Sequence, residues 1–111
     1  ALTALAEQVH SGTNEHAKEL LIRALNDDSS EVRAEAATIT GKTLEPEEII
    51  NELCGLLKDK DNQVRINTAL ALMKIEEFSS INSLSEAISA EEDGQVKTVL
   101  EVALNQLIAL K

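Results

Sequence analysis

Aromatic side chains are nearly missing from this 111-residue chain: Phe78 stands alone, with no Trp and no Tyr. A core without large rings must be assembled from Leu, Ile, Val and Ala, which suits closely spaced helices better than stacked sheets. Glycine and proline are scarce too, at four and one, too few turn-formers for many short strands. Cys54 is the single cysteine, which excludes an internal disulfide framework and a cysteine-based metal site. Beside Leu53, Leu56 and Leu57 it reads as a small buried hydrophobe. No stretch reaches the roughly 18 apolar residues of a membrane span. The start lacks a basic stretch followed by an apolar one, so no signal peptide is expected and the predicted location is cytoplasmic. Cations are outnumbered two to one, 10 Lys and Arg against 20 Asp and Glu, for a net charge of −10. Such a surface disfavours phosphate backbones, whose binding depends on cationic side chains, and anionic membrane surfaces alike. Neither nucleic acid nor membrane is therefore an expected partner.

What is present is 43% apolar residues, enough for one domain with a real core, and a turn that recurs at a fixed interval. It reads Asp27-Asp28-Ser29-Ser30-Glu31-Val32-Arg33, then Asp59-Lys60-Asp61-Asn62-Gln63-Val64-Arg65, then Glu91-Glu92-Asp93-Gly94-Gln95-Val96-Lys97, 32 residues apart both times. Self-similarity at this period marks a solenoid, because each unit buries its apolar side only against its neighbours.

Helices fill the intervals. Residues 1–9 hold strong helix formers and read as the remnant of a preceding helix, stopped at Ser11-Gly12. Thr13 or Asn14 is placed to cap a helix to about Asn26, with Ala17, Leu20, Leu21, Ala24 and Leu25 on one face. Ser29 or Ser30 caps the next, to about Lys42, and Pro46 opens the third. Asn62 is expected to cap a helix from Gln63 to about Glu77. Ser79 or Ser80 caps a short helix through Leu84 and Ile88, and a final helix runs from Gln95 nearly to the end. The units span about 13–43, 46–77 and 80–111 within a single domain of residues 1–111. At the 32-residue shift Val32, Val64 and Val96 align, as do Ala36, Thr68 and Leu100, defining the buried face of each second helix. The first helices align as Leu21 with Leu53 and Leu25 with Leu57, then slip by one to Leu84 and Ile88.

The acid-containing turn, the Val-Arg pair and the small residues that follow it resemble HEAT repeats, and most closely the short variety named from phycobilisome lyases. The resemblance covers essentially the whole chain. It implies an all-α, right-handed α-α superhelix of about three helix pairs plus one leading helix, with second helices lining a concave side. Lys97 in place of Arg, and Leu100-Glu101 where small residues are usual, fit a capping repeat.

Candidate chemistry is sparse. Arg33, Arg65 and Lys97 recur with Asp27, Asp59 and Glu91 and with Val32, Val64 and Val96. This reads as a structural turn ladder in which each cation bridges acids between stacked units. Some HEAT-like enzymes, such as deoxyhypusine hydroxylase, bind metal through repeated His-Glu pairs. Here neither His10 nor His16 is followed by Glu, and no metal or cofactor is expected. No nucleophile–base arrangement or glycine-rich phosphate loop occurs, so the chain is expected not to be an enzyme. An apolar stripe of Ile66, Leu70 and Met73, extended by Val102, lies beside the buried face. Ile66, Leu70 and Val102 are the expected partner-binding residues, an apolar floor rimmed by acids for a segment of another protein. The functional expectation is thus a protein–protein scaffold. The alternative is an accessory or fragment of a larger enzyme assembly such as a bilin-lyase-like factor.

Overall fold

A computed structural model describes residues 2, 4, 6, 7 and 15–110. Residues 2, 4, 6 and 7 are helical. Thereafter six helices follow: α1 (Glu15–Ala24), α2 (Ser30–Thr43), α3 (Pro46–Leu56), α4 (Asn62–Ile75), α5 (Ile81–Ala90) and α6 (Gly94–Leu110), with one 3₁₀ turn at Phe78–Ser80. No strand occurs among the described residues, and the all-α solenoid expected from the repeat is what forms. The expected caps at Thr13 or Asn14, the stop at Ser11-Gly12, and His10 lie outside the described residues.

The repeat appears in the helix starts. Ser30, Asn62 and Gly94 open α2, α4 and α6, holding the 32-residue interval. The cause is a shared cap one residue earlier. Ser29 Oγ accepts the Val32 amide at 3.4 Å. Asp61 Oδ1 accepts those of Gln63 and Val64 at 2.9 and 3.1 Å, and Asp93 Oδ1 those of Gln95 and Val96 at 2.9 and 3.0 Å. The second cap is thus Asp61, not the expected Asn62, because its carboxylate satisfies two otherwise unpaired N–H groups of the first turn. On α3, Pro46 follows Glu45, whose side chain and that of Glu48 form a reciprocal capping box. Helix α4 stops two residues short of the expectation: Glu76 takes a left-handed conformation (φ 53°) that ends it. Ser80 precedes α5 without a side-chain cap, its hydroxyl donating instead to the Glu77 carbonyl at 2.7 Å.

Each first helix packs on its own second helix, α1 on α2, α3 on α4 and α5 on α6, while α2, α4 and α6 pack on one another in sequence. The α2–α4 contact is the most extensive. Small side chains allow it: a methyl group on Gly41 would lie 2.9 Å from the Ala71 Cβ. The core is aliphatic, with Leu21, Leu25, Ile49, Leu53, Leu72, Leu84, Leu100 and Leu107 essentially fully buried. Thr40 and Thr68 are buried with them, their hydroxyls donating to the carbonyls of Ala36 and Val64, one turn back, at 2.8 and 2.7 Å.

Candidate functional site

Three features could carry function: the turn ladder, the exposed side of the second helices, and a cleft between α3 and α5.

In the ladder, Arg33 reaches forward. Its Nε and Nη2 donate to Asp59 Oδ2 and Oδ1 at 2.8 and 3.2 Å, while Nη1 donates to the Asp27 and Asp28 carbonyls at 2.8 and 3.1 Å. Arg65 repeats the pattern one unit on. It donates to both oxygens of Glu91 at 2.8 and 2.9 Å, to the Asp59 carbonyl at 2.7 Å, and to the Asn62 side chain. Each guanidinium thus ties its own turn to the next by a two-pronged bond matched to carboxylate geometry. Burial alone would raise the Asp59 and Glu91 carboxyls, but hydrogen bonds from Arg33 and Arg65, and from the Asp61 and Asp93 amides, outweigh it. Both titrate below the ordinary carboxylate range. Asp27 caps its own turn by accepting the Ser29 amide at 2.9 Å. Lys97 is exposed and joins no ion pair among the described residues. Val64 and Val96 are buried, Val32 half-buried.

On the second helices, Leu70 and Val102 are 43% and 48% exposed, and Ile66 is half-buried against the core. One 32-residue step apart, Leu70 and Val102 occupy equivalent places on neighbouring helices α4 and α6. Met73, on the same stripe, also packs partly against the core. No acid lies on α4 and only Glu101 on α6. The expected acidic rim is therefore not built from α4; acids of the flanking segments are Glu31 and Glu35 on α2 and Glu76 and Glu77 just past α4.

The cleft, of about 650 Å³, opens on the first-helix side. Cys54, Gly55 and Leu57 line it from α3 and its end, Ala87 and Ala90 from α5. Cys54 is half-buried here instead of fully enclosed, because α3 and α5 leave a gap that small residues do not fill. Sequence reasoning missed this cleft. The available signal was the pair of small residues, Gly55 and Ala87, at equivalent positions.

His16 lies exposed with its Nδ1 3.8 Å from Glu19. Among the described residues no group of His, Cys, Asp and Glu could hold a metal ion, and no helix is long and apolar enough to cross a membrane.

Paired helices at a constant repeat, tied through their turns, define a helical-repeat protein, and the chain belongs to the HEAT repeats, whose family model matches residues 1–105. It is also similar to the bilin biosynthesis protein MpeU of Synechococcus sp. (strain WH8020), with 53% identity over 108 residues. Those residues are 97% of this chain and 36% of MpeU, so the chain spans about a third of the length of the curated relative it matches. This corrects the expectation that the chain is not an enzyme: a relative sharing half of its residues is a protein of biosynthesis. No ligand spacing or nucleophile–base pair in the sequence points to such a role.

Proposed function

We propose that this chain is the partner-binding repeat segment of a protein that acts in bilin biosynthesis, and that it holds another protein on the exposed side of α2, α4 and α6. The observation that carries this reading is the exposure of Leu70 and Val102, 43% and 48%, at equivalent positions of adjacent helices. Large aliphatic side chains left in water are a standing source of binding free energy, about 25 cal/mol for each Å² they bury. With Ile66 they form a floor across α4 and α6. HEAT repeats typically bind other proteins, and similarity to MpeU over 97% of the chain supplies the bilin context. Acids on α2, Glu31 and Glu35, and past α4, Glu76 and Glu77, favour a partner segment that carries basic residues beside its apolar ones.

Leu70→Asp is the test. Leu70 is exposed, so the variant should keep its circular dichroism and melt within a few degrees of the parent, a change of about 0.5 kcal/mol or less. It should lose the protein partner that the parent retains in affinity purification. Unfolding of the variant would make the stripe part of the core, and retained binding would move the partner elsewhere.

A further inference from the structure

The exposed side of the second helices changes character from one helix to the next. On α2 the row that shares one helical face is Glu31, Glu35, Thr38 and Lys42, and its three charged members are exposed. One 32-residue step on, the same row of α4 holds Gln63, Asn67, Leu70 and Lys74. On α6 it holds Gln95, Val99, Val102 and Gln106. The row thus carries three charges on α2, one on α4 and none on α6, while its apolar surface grows in the same direction. The amides of α4 are already engaged: Gln63 Nε2 donates to Asn67 Oδ1 at 2.7 Å, and Asn67 Nδ2 to the Ala34 carbonyl of α2 at 3.0 Å. Glu31 and Glu35 join no ion pair among the described residues, and the neighbouring Arg33 is bound by Asp59. Lys42 does not neutralise them, because it lies about 10 Å along the helix from Glu35, beyond the screening length at physiological salt. Its own end of the row is balanced, with Lys42 and Lys74 against Glu76 and Glu77. The face therefore has an acidic corner on the first half of α2 and an apolar floor over α4 and α6.

Resting on the reading that this face holds a protein partner, we propose that it also fixes the partner's direction. The bound segment crosses the second helices with an apolar end over Leu70, Val99 and Val102 and an arginine- or lysine-bearing end over Glu31 and Glu35. Packed helices lie about 8–10 Å apart, so α2 and α6 are separated by about 16–20 Å, which about 11–13 residues of helix would span. Burial of the floor supplies the affinity. The acids choose between the two ways of lying on it. One way sets the cation against carboxylates, and the other leaves it over the uncharged row of α6. A segment with an acidic end meets like charge on α2 in the first direction and gains no partner in the second.

The probe is a blocked, alanine-based helical peptide with leucines in its first half and lysines in its second, carrying a nitroxide at one end or the other. Titrated into the intact chain, it should shift the Leu70 and Val102 amides saturably. A nitroxide at the lysine end should broaden the Glu35 and Thr38 amides of α2, and one at the leucine end those of Val99 and Val102 on α6. Glutamates in place of the lysines should weaken binding about fivefold, the worth of two exposed charge pairs. Glu31→Gln with Glu35→Gln should weaken the lysine peptide by the same factor and even out the broadening between α2 and α6. Both positions are exposed, so this variant should keep the circular dichroism of the parent. Saturable shifts at Leu70 and Val102 whose broadening ignores the labelled end, or that show no preference for lysine over glutamate, would overturn the direction and leave the face as the binding surface. Shifts absent from Leu70 and Val102 would overturn the direction and the face together.

Discussion

Residues at one position of the repeat have three different fates. Arg33 and Arg65 are gripped by the acids of the following turn, and Lys97 is not. Arg65→Ala leaves the Glu91 carboxylate, 5% exposed, without its partner, and should cost about 3 kcal/mol in urea unfolding, the scale for breaking a largely buried pair. Lys97→Ala should cost less than about 0.5 kcal/mol. The same pairs set an acid limit. Because the Asp59 and Glu91 carboxyls titrate below their unfolded values, their contribution is complete above roughly pH 5 and is lost as pH falls through the depressed folded values. Unfolding midpoints should therefore fall steeply below that pH, and Asp59→Asn with Glu91→Gln should flatten the slope; an equally steep double variant would refute the assignment. The recurring Val-Arg and Asp residues made the ladder legible in the sequence. The cap at Asp61 was not, since Asn62 is as good a capping residue by type and only the backbone decides between adjacent candidates.

At the scale of elements, the closeness of α2 to α4 rests on Gly41. Alanine is a better helix former than glycine by about 1 kcal/mol, so on propensity alone Gly41→Ala would stabilise. Against that, its new methyl would sit 2.9 Å from the Ala71 Cβ and 3.4 Å from the Ala71 Cα, atoms fixed to the backbone that cannot swing away. Overpacking of this kind costs about 1–3 kcal/mol, so a net loss of about 1 kcal/mol is expected. Gly55→Ala, at an exposed helix position with open space around it, should instead gain a few tenths to about 1 kcal/mol. Denaturation midpoints of the two variants should move in opposite directions; a shared direction would show that the 2.9 Å contact is relieved at no cost. In the sequence Gly41 was only one of a few scarce glycines, because a contact between helices 30 residues apart has no local pattern. The helices themselves were legible from their apolar spacing and the turn, within two residues at the described ends that the sequence located.

For the whole molecule, the 32-residue step was the readable quantity. It brought Leu70 and Val102 to equivalent places and so gave the second-helix face, but the α3–α5 cleft, a gap between two elements, left only the faint pair Gly55 and Ala87. The likeness to a bilin biosynthesis protein was legible only through the family resemblance, as the alternative. The repeat also has a polarity. Gly41 on α2 meets Ala71 of the succeeding second helix, with Ala37 buried one turn back, and Ala69 and Met73 hold the same two places on α4, buried and half-buried. On α6 the same places hold Glu101 and Asn105, both exposed. A copy of residues 46–77 laid against α6 in this register would enclose the Glu101 carboxylate at the interface. A spare copy of residues 46–77 spliced after Glu77 meets a matching flank on either side, and should fold into the stack and raise the melting temperature. The same copy fused after Leu110 should hang loose and be trimmed by protease. Lineages of this fold could therefore grow by duplication in the interior, like a sentence that accepts new clauses in the middle.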